Sequence, residues 1–358
     1  MNKIFFILTI TFILFGNACK EKNQSVEFDL KQSNKIDLSE IFEVSETIKI
    51  KNDKPIPPIK KLYKLEDYYV GFMGGNICKI NNNGDLYSKL ITKENKFLFK
   101  GITSIDVFNN SFYTIERAIQ SFKVFNNNFE LAKEYKLPFY VLAFRVISDS
   151  TVLFYLGFQS DPTFNTQLVL YDLKEEKVSN TYLPVPTNLQ YFNIFNTDNI
   201  ILEHNKYYFF NGMDNTLYKF EGNSLSPEIC FNYGIHSLPQ DFYKTSDFED
   251  VQKYTEHVEP LSKVSKFYNL RKSNNYIIKR IHIGKERLHV FKNMTTNKEF
   301  SSTSVNDDIT NSGIINSWDE ETAFLGVIGD KFGIYIENAK LDTDSTFVGT
   351  ILLGNFKF

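Results

Sequence analysis

Short apolar runs separated by turn residues recur along most of the chain. In the stretch NICKINNNGDLYSKL (residues 76–90), an apolar strand pattern at 77–80 is followed by an Asn-Asn-Asn-Gly turn and a second strand pattern at 86–90. Asn and Gly tolerate the positive φ that tight hairpin turns need. Another strand pattern, at 68–72, precedes the unit. The pattern therefore predicts antiparallel hairpins.

The same unit recurs five more times, at 111–137, 167–183, 207–223, 276–291 and 323–336. The last residue of the central strand marks each copy, and the six markers are Ile80, Phe125, Tyr171, Phe220, Phe291 and Ile336. They are separated by 45, 46, 49, 71 and 45 residues. A step near 45 residues with about four strands per unit is typical of a β-propeller. Six markers predict six blades; the alternative is a β-sandwich or barrel with irregular hairpins.

The long step predicts an insertion at about 233–263, between blades 4 and 5. Apolar residues at 248, 251 and 254 have helical spacing, so we expect the insertion to be partly helical. It is either a functional excursion over one face of the ring or a structural cap. Residues 42–50 and 347–353 also have strand patterns, and we expect one to complete the other's blade and close the ring.

The N-terminal residues have the pattern of an export signal. Lys3 precedes an apolar run at 4–15, which is too short to span a bilayer but suits a secretory signal peptide. Ala18-Cys19 at its end resembles the cleavage site of bacterial lipoproteins, which implies a signal peptide at 1–18 and lipidation of Cys19. An ordinary signal peptide with a coincidental cysteine is the alternative. The polar residues 19–40 are predicted to be a tether, and 41–358 the propeller domain.

Composition agrees with an all-β protein. The 35 Phe and 20 Tyr favour strands. A net charge of -3 without a clustered basic face gives no reason to expect nucleic-acid binding. Three cysteines do not make a disulfide scaffold. We expect Cys78 and Cys230 to be small apolar residues in different blades, with no bond between them.

Motifs of enzyme chemistry are missing from the sequence. It contains no nucleophile elbow, zinc-protease helix, Walker loop or dinucleotide fingerprint, so we predict no catalytic residue and no cofactor. Residue types that bind zinc or calcium do occur, at Glu203-His204, His236, Glu256-His257 with Glu259, Asp307-Asp308 and 319–321. Their spacing matches no recognised site, and solvated loop residues are the alternative interpretation.

The repeat, the leader and the phrases YYVGF (68–72), NNGDL (82–86) and DNTLY (214–218) resemble the six-bladed β-propeller lipoproteins of Bacteroidota, part of the wider group with NHL-type repeats. The resemblance covers about residue 41 to the end and is carried by structural turns. It implies an all-β propeller anchored at the bacterial cell envelope, in the outer membrane, on its periplasmic or surface face. No catalytic residue transfers from it.

Three functions are compatible with these patterns. The first is a non-catalytic binding module that is anchored through Cys19 and holds an envelope protein or a glycan. The second is a propeller hydrolase or lyase with a calcium or zinc ion in the central channel. The third is a structural part of an envelope complex. We favour the first. The sequence predicts a rigid ring, a lipid tether and an insertion, and it contains no recognisable set of catalytic residues.

Overall fold

The computed structural model describes residues 24–52, 56, 58–73, 76–87, 102–157, 164–185, 199–211, 215–239, 242, 248, 251–315, 323–338 and 347–358. Its first strands are β1 (Gln24–Glu27), β2 (Gln32–Ser33), β3 (Ile36–Asp37) and, after helix α1 (Leu38–Ile41), β4 (Phe42–Asn52). The next twelve are β5 (Ile59–Lys64), β6 (Tyr68–Met73), β7 (Asn76–Asn81), β8 (Leu86–Tyr87), β9 (Ile102–Phe108), β10 (Ser111–Glu116), β11 (Ser121–Phe125), β12 (Leu131–Lys136), β13 (Ala143–Ser148), β14 (Thr151–Tyr155), β15 (Thr166–Asp172) and β16 (Lys177–Pro184).

The second half continues in the same manner. Its strands are β17 (Ile200–Glu203), β18 (Lys206–Asn211), β19 (Thr216–Glu221), β20 (Ser224–Asn232), β21 (Val264–Ser273), β22 (Tyr276–Ile283), β23 (Glu286–Asn293), β24 (Glu299–Ser302), β25 (Val305–Asp307), β26 (Gly313–Ile315), β27 (Phe324–Ile328), β28 (Lys331–Asn338) and β29 (Phe347–Phe356). Helix α2 (Val251–Val258) lies between β20 and β21.

The described strands form seven sheets. Six of them have four or five strands, in the orders β5-β6-β7-β8, β9-β10-β11-β12, β13-β14-β15-β16, β17-β18-β19-β20-β1, β21-β22-β23-β24-β2 and β27-β28-β29-β4. The seventh has the order β26-β25-β3. Counted as sheets, the propeller has seven blades, so the predicted number of six is wrong. The additional sheet was missed because its three strands have only two or three residues each and come from distant parts of the chain.

The first strands of the six larger sheets lie side by side around a central axis. Contacts join β9 to β13, β13 to β17, β17 to β21, β21 to β27, and β27 to β5. Hydrogen bonds from Lys61 and Tyr63 join β5 to β9. The small sheet packs outside this ring, beside β24 and α1. The predicted all-β propeller is confirmed, and the sandwich alternative is wrong.

Aromatic rings pack between neighbouring sheets, among many buried aliphatic side chains. Phe122 lies between the second and third sheets, with its ring centroid 5.2 Å from Phe144 and 5.3 Å from Phe154, both edge-to-face. This geometry is the favoured one for aromatic pairs. The predicted buried role of Cys78 holds: it is a free, buried thiol, and burial raises its pKa to about 11.

Residues 24–37 form a segment that we call the N-terminal strap. Its strands β1, β2 and β3 pair in parallel with β20, β24 and β25, and so cross the outer edges of consecutive sheets. Glu299 accepts hydrogen bonds from the backbone N–H groups of Asp29 (3.1 Å) and Leu30 (2.8 Å). From residue 24 onward, the range predicted as a tether (19–40) is therefore part of the folded body.

The strap also places an aromatic ring over a buried amine. Phe28 packs against Phe231 and Tyr233, with ring centroids 5.6 and 5.3 Å away. The Nζ atom of Lys279, on β22, lies 4.3 Å from the ring centroid of Phe231 and 4.5 Å from that of Tyr233. Desolvation among these rings lowers the pKa of Lys279 well below its usual range.

The chain ends meet as the sequence predicts. Strand β4 pairs antiparallel with β29, from Asn52 opposite Phe347 to Phe42 opposite Phe356. A bulge at Gly354 brings the two backbones close, and a Cβ atom there would lie 2.0 Å from the carbonyl oxygen of Glu43. The prediction that one terminal strand completes the other's blade is confirmed.

The insertion between β20 and β21 is partly helical, as predicted. Its described part contains α2 and the 3-10 turns Gly234–His236 and Glu259–Leu261. Phe248 and Tyr254 are buried and pack edge-to-face, with ring centroids 5.4 Å apart. None of the helices in the described part of the chain has the length and hydropathy of a membrane span.

Candidate functional site

A cavity of about 230 Å³, which we call the central cavity, lies on the axis of the ring. It lies toward the C-terminal ends of the inner strands and is lined by residues from all six of them, with Ile200, Ile201, Leu325 and Val327 among the apolar ones. The polar side chains that line it are Lys61, Tyr63 and Lys64 of β5, Arg145 of β13, His204 and Asn205 after β17, and Arg271 and Lys272 of β21.

Arg145 connects four of the inner strands. Its Nη1 atom donates to the Tyr63 hydroxyl (2.8 Å) and to Asp106 Oδ1 (3.1 Å), and its Nε atom donates to the carbonyl of Ile200 (3.1 Å). Asp106 is 2% exposed, and its Oδ2 atom accepts from the Val146 backbone N–H at 2.8 Å. This carboxylate therefore fixes the guanidinium at the cavity wall.

Lys272 is held in a similar way. Its ammonium group donates to the buried carboxylate of Glu203 and to the carbonyl of Asn274 (2.9 Å). It also lies 5.0 Å from the ring centroid of Tyr208. Glu203 is 3% exposed, so the pair is desolvated on the side away from the cavity.

Arg271 and Lys61 donate to neutral groups of neighbouring strands. The Nε atom of Arg271 donates to the Phe324 carbonyl at 3.1 Å. Gly326 has a φ of 95°, and a Cβ atom there would lie 3.3 Å from Arg271 Cδ, so glycine leaves room for this side chain. The Nζ atom of Lys61 lies 3.3 Å from Ser104 Oγ and 3.4 Å from the Ile105 carbonyl.

The lining of the central cavity is strongly cationic. Five lysine and arginine side chains contribute to it, and the described lining residues include no aspartate or glutamate. Asp106 and Glu203 lie behind the wall and pair with Arg145 and Lys272. In the described part of the chain, the lysine and arginine residues that border the cavity therefore outnumber the nearby carboxylates.

The predicted metal-ligand candidates do not come together. Among the described residues, no group of three or more His, Cys, Asp or Glu side chains could hold a metal ion. Glu203 lies behind the cavity wall while His204 lines the cavity. His236 Nδ1 is 2.9 Å from the Ser262 carbonyl, and His257 packs against Phe248.

The acidic candidates have local structural roles. Asp307 is buried and accepts hydrogen bonds from Thr310 and from the Ser312 hydroxyl (2.5 Å). Asp308 accepts from the Ser39 backbone N–H at 2.9 Å, and Glu256 accepts from Gln252 at 2.9 Å. The candidates at 319–321 and the predicted lipidation site Cys19 lie outside the described residues.

Sequence reasoning missed the cations of the central cavity. They lie on first strands, such as 59–64 and 143–148, whereas the repeat was recognised from second and third strands. A basic residue in the strand-like run just before a hairpin, as at Lys61, Arg145 and Arg271, is the signal that identifies them.

Neither a protein-family model nor a curated protein sequence matches the chain. Among solved structures, the chain is similar to a Bacteroides fragilis protein that is described as an exported protein. The identity is 11%, the TM-score is 0.67, and the match covers 94% of this chain and 100% of that one. It also matches a DUF4221-family member from Bacteroides vulgatus (11% identity, TM-score 0.44, coverage 88% and 98%). A third match is a streptogramin B lyase (10% identity, TM-score 0.42, coverage 88% and 99%). At this identity, the first likeness supports the propeller fold alone.

Proposed function

We propose that this protein is a lipid-anchored, non-catalytic binding module of the bacterial cell envelope that holds a small ligand in the central cavity. The observation that carries the proposal is the convergence of polar side chains from several blades on one concave site with apolar walls. Binding sites in proteins have this composition. A cavity of about 230 Å³ suits a small molecule or the end of a longer chain such as a glycan.

Native mass spectrometry of the lipidated chain, purified in mild detergent from its own envelope, tests the binding. We expect an additional mass that is released on denaturation. It should be absent in Val107→Trp, which fills the cavity from β9, and present in the control Ile235→Trp, at a side chain that is 82% exposed. Circular dichroism checks that both variants fold. No additional mass in the wild type, or equal masses in both variants, would contradict the proposal.

The anchor is tested separately with Cys19→Ala. Lipoproteins carry several acyl chains, and two or more chains hold a protein firmly to a bilayer. We expect the wild type in the membrane pellet and the variant in the supernatant, and circular dichroism checks that the variant folds. A variant that stays in the pellet would show that Cys19 is not the anchor.

The alternative is a hydrolase or lyase with a metal ion in the channel, and His204 at the cavity favours it. The donor set fits a metal poorly, however. Five cationic side chains line the cavity and would repel a divalent cation. In the described lining, His204 and Asn205 offer few of the ligands that zinc or calcium require. Stoichiometric zinc or calcium in the purified protein would nevertheless favour the enzyme.

A further inference from the structure

We infer that the ligand of the central cavity is a small oxyanion, a molecule that carries a phosphate or carboxylate group. This inference rests on the proposed function and names the chemical class of the ligand. It follows from the positive charge of the residues that line the cavity, from the buried carboxylates that hold two of them, and from the volume of the cavity.

The first step concerns charge. Lys61, Lys64, Arg145, Arg271 and Lys272 come from three different blades and border the same small space. Like charges close together repel one another, and cations partly removed from water lose hydration. An anion in the cavity would relieve both costs through charge-assisted hydrogen bonds.

The second step concerns the two nearby carboxylates. Asp106 and Glu203 are almost fully buried behind the wall, and each pairs with one cation of the lining. They orient Arg145 and Lys272 without occupying the cavity. Buried carboxylates that hold a ligand-contacting side chain in this way fix its geometry.

The third step concerns hydrogen-bond type and size. Besides the cations, His204 and Asn205 can donate to a ligand, so the lining matches an acceptor-rich molecule. The volume of about 230 Å³ is below the usual range for drug-sized ligands. Apolar side chains such as Ile201 and Val327 line the cavity as well, and they suit contact with a short carbon skeleton beside the anionic group.

Isothermal titration calorimetry on the full chain in detergent tests the inference at low salt. The probes are pyrophosphate, citrate and, as a neutral compound, glycerol. We expect at least one anion to bind and glycerol not to bind. The better anion shows whether phosphate or carboxylate is preferred, and its affinity should fall as salt is raised.

Variants of β5 locate the binding. Lys61→Gln should weaken the affinity for the anion about tenfold or more, because a hydrogen bond to a charged group is lost. Lys61→Arg, which keeps the charge, should recover most of the affinity. The matched control is Lys60→Gln, at an exposed neighbour on the same strand that does not border the cavity. Thermal unfolding verifies that each variant is folded.

Three results would overturn the inference. One is anion binding that Lys61→Gln and Lys60→Gln weaken equally, because the site would then lie elsewhere. Another is failure of both anions to bind. The third is an uncharged or cationic ligand found by native mass spectrometry and displaced by Val107→Trp; in that case the proposed binding function stands and only its anionic class fails.

Discussion

Arg145 offers the sharpest test of how the ring is held together, because its guanidinium bonds to three neighbouring inner strands. The substitution Arg145→Met keeps most of the side-chain volume and removes the charge and all three hydrogen bonds. Asp106 would then keep only the Val146 backbone N–H among the partners described here, at a site where it is 2% exposed.

The expected cost follows from the burial of this pair. Breaking a buried ion pair by removing one partner costs about 3–5 kcal/mol, because the other charge is left without compensation. An unfolding entropy near 2.1 cal/mol/K per residue amounts to roughly 0.75 kcal/mol/K for 358 residues. We therefore expect Tm to fall by about 4–7 °C.

Urea unfolding followed by fluorescence, together with calorimetry, measures this cost. The double variant Arg145→Met/Asp106→Asn should be more stable than Arg145→Met by at least about 1 kcal/mol, since the stranded charge is gone. Lys60→Met, at an exposed site, serves as the control. A loss below about 1 kcal/mol for Arg145→Met, with no recovery in the double variant, would refute the reasoning.

Three further predictions concern other parts of the fold. Lys279→Met should raise the free energy of unfolding at pH 7, because burial disfavours the ammonium group and lowers the pKa of Lys279 in the folded state. The wild type should gain stability relative to this variant as pH rises toward the ordinary lysine pKa of about 10.4, and parallel pH profiles would contradict this. Gly354→Ala should lower the free energy of unfolding in urea by about 1–3 kcal/mol, because the new Cβ would clash with the Glu43 carbonyl in the pair of β4 and β29. An unchanged urea midpoint would show that the backbone of this strand pair moves apart at no cost. A hydrogen bond from Lys331 (2.9 Å) lowers the pKa of Glu46. Glu46→Gln should therefore lower the free energy of unfolding by about 0.5–1 kcal/mol at pH 7, and this difference should vanish once pH has fallen through the lowered pKa. An equal difference at pH 7 and pH 3 would exclude this charge effect.

The repeat could be read from the sequence because second and third strands are aromatic and β-branched. Phe125 and Tyr171 each end or nearly end the third strand of a sheet, and the regular step follows from that. Ile336 lies instead in β28, the second strand of its sheet, because there the third and fourth strands are β29 and β4. The last step of 45 residues is therefore one strand out of phase with the others.

Other features needed the structure. The strap adds to the sheets through backbone hydrogen bonds, which depend little on side-chain type, so its polar composition resembled a tether. Its one local signal is the alternation of Val26, Phe28 and Leu30, all of which are buried. The cavity could not be predicted, because Arg145 and Arg271 lie 126 positions apart and meet only once the order of the blades is known.

The pairing of the two chain ends has a consequence for the order in which this protein can fold. Ser45 donates a hydrogen bond to the carbonyl of Leu353, across a separation of 308 positions. Residues 42–52 are synthesised about 300 positions before 347–356, the strand with which they pair. Contacts of such long range slow folding, because the entropy of closing the loop is lost before the contacts form. During synthesis, β4 must therefore remain an unpaired edge until β29 is made. Aggregation is most probable, and protection by a chaperone most valuable, during this interval.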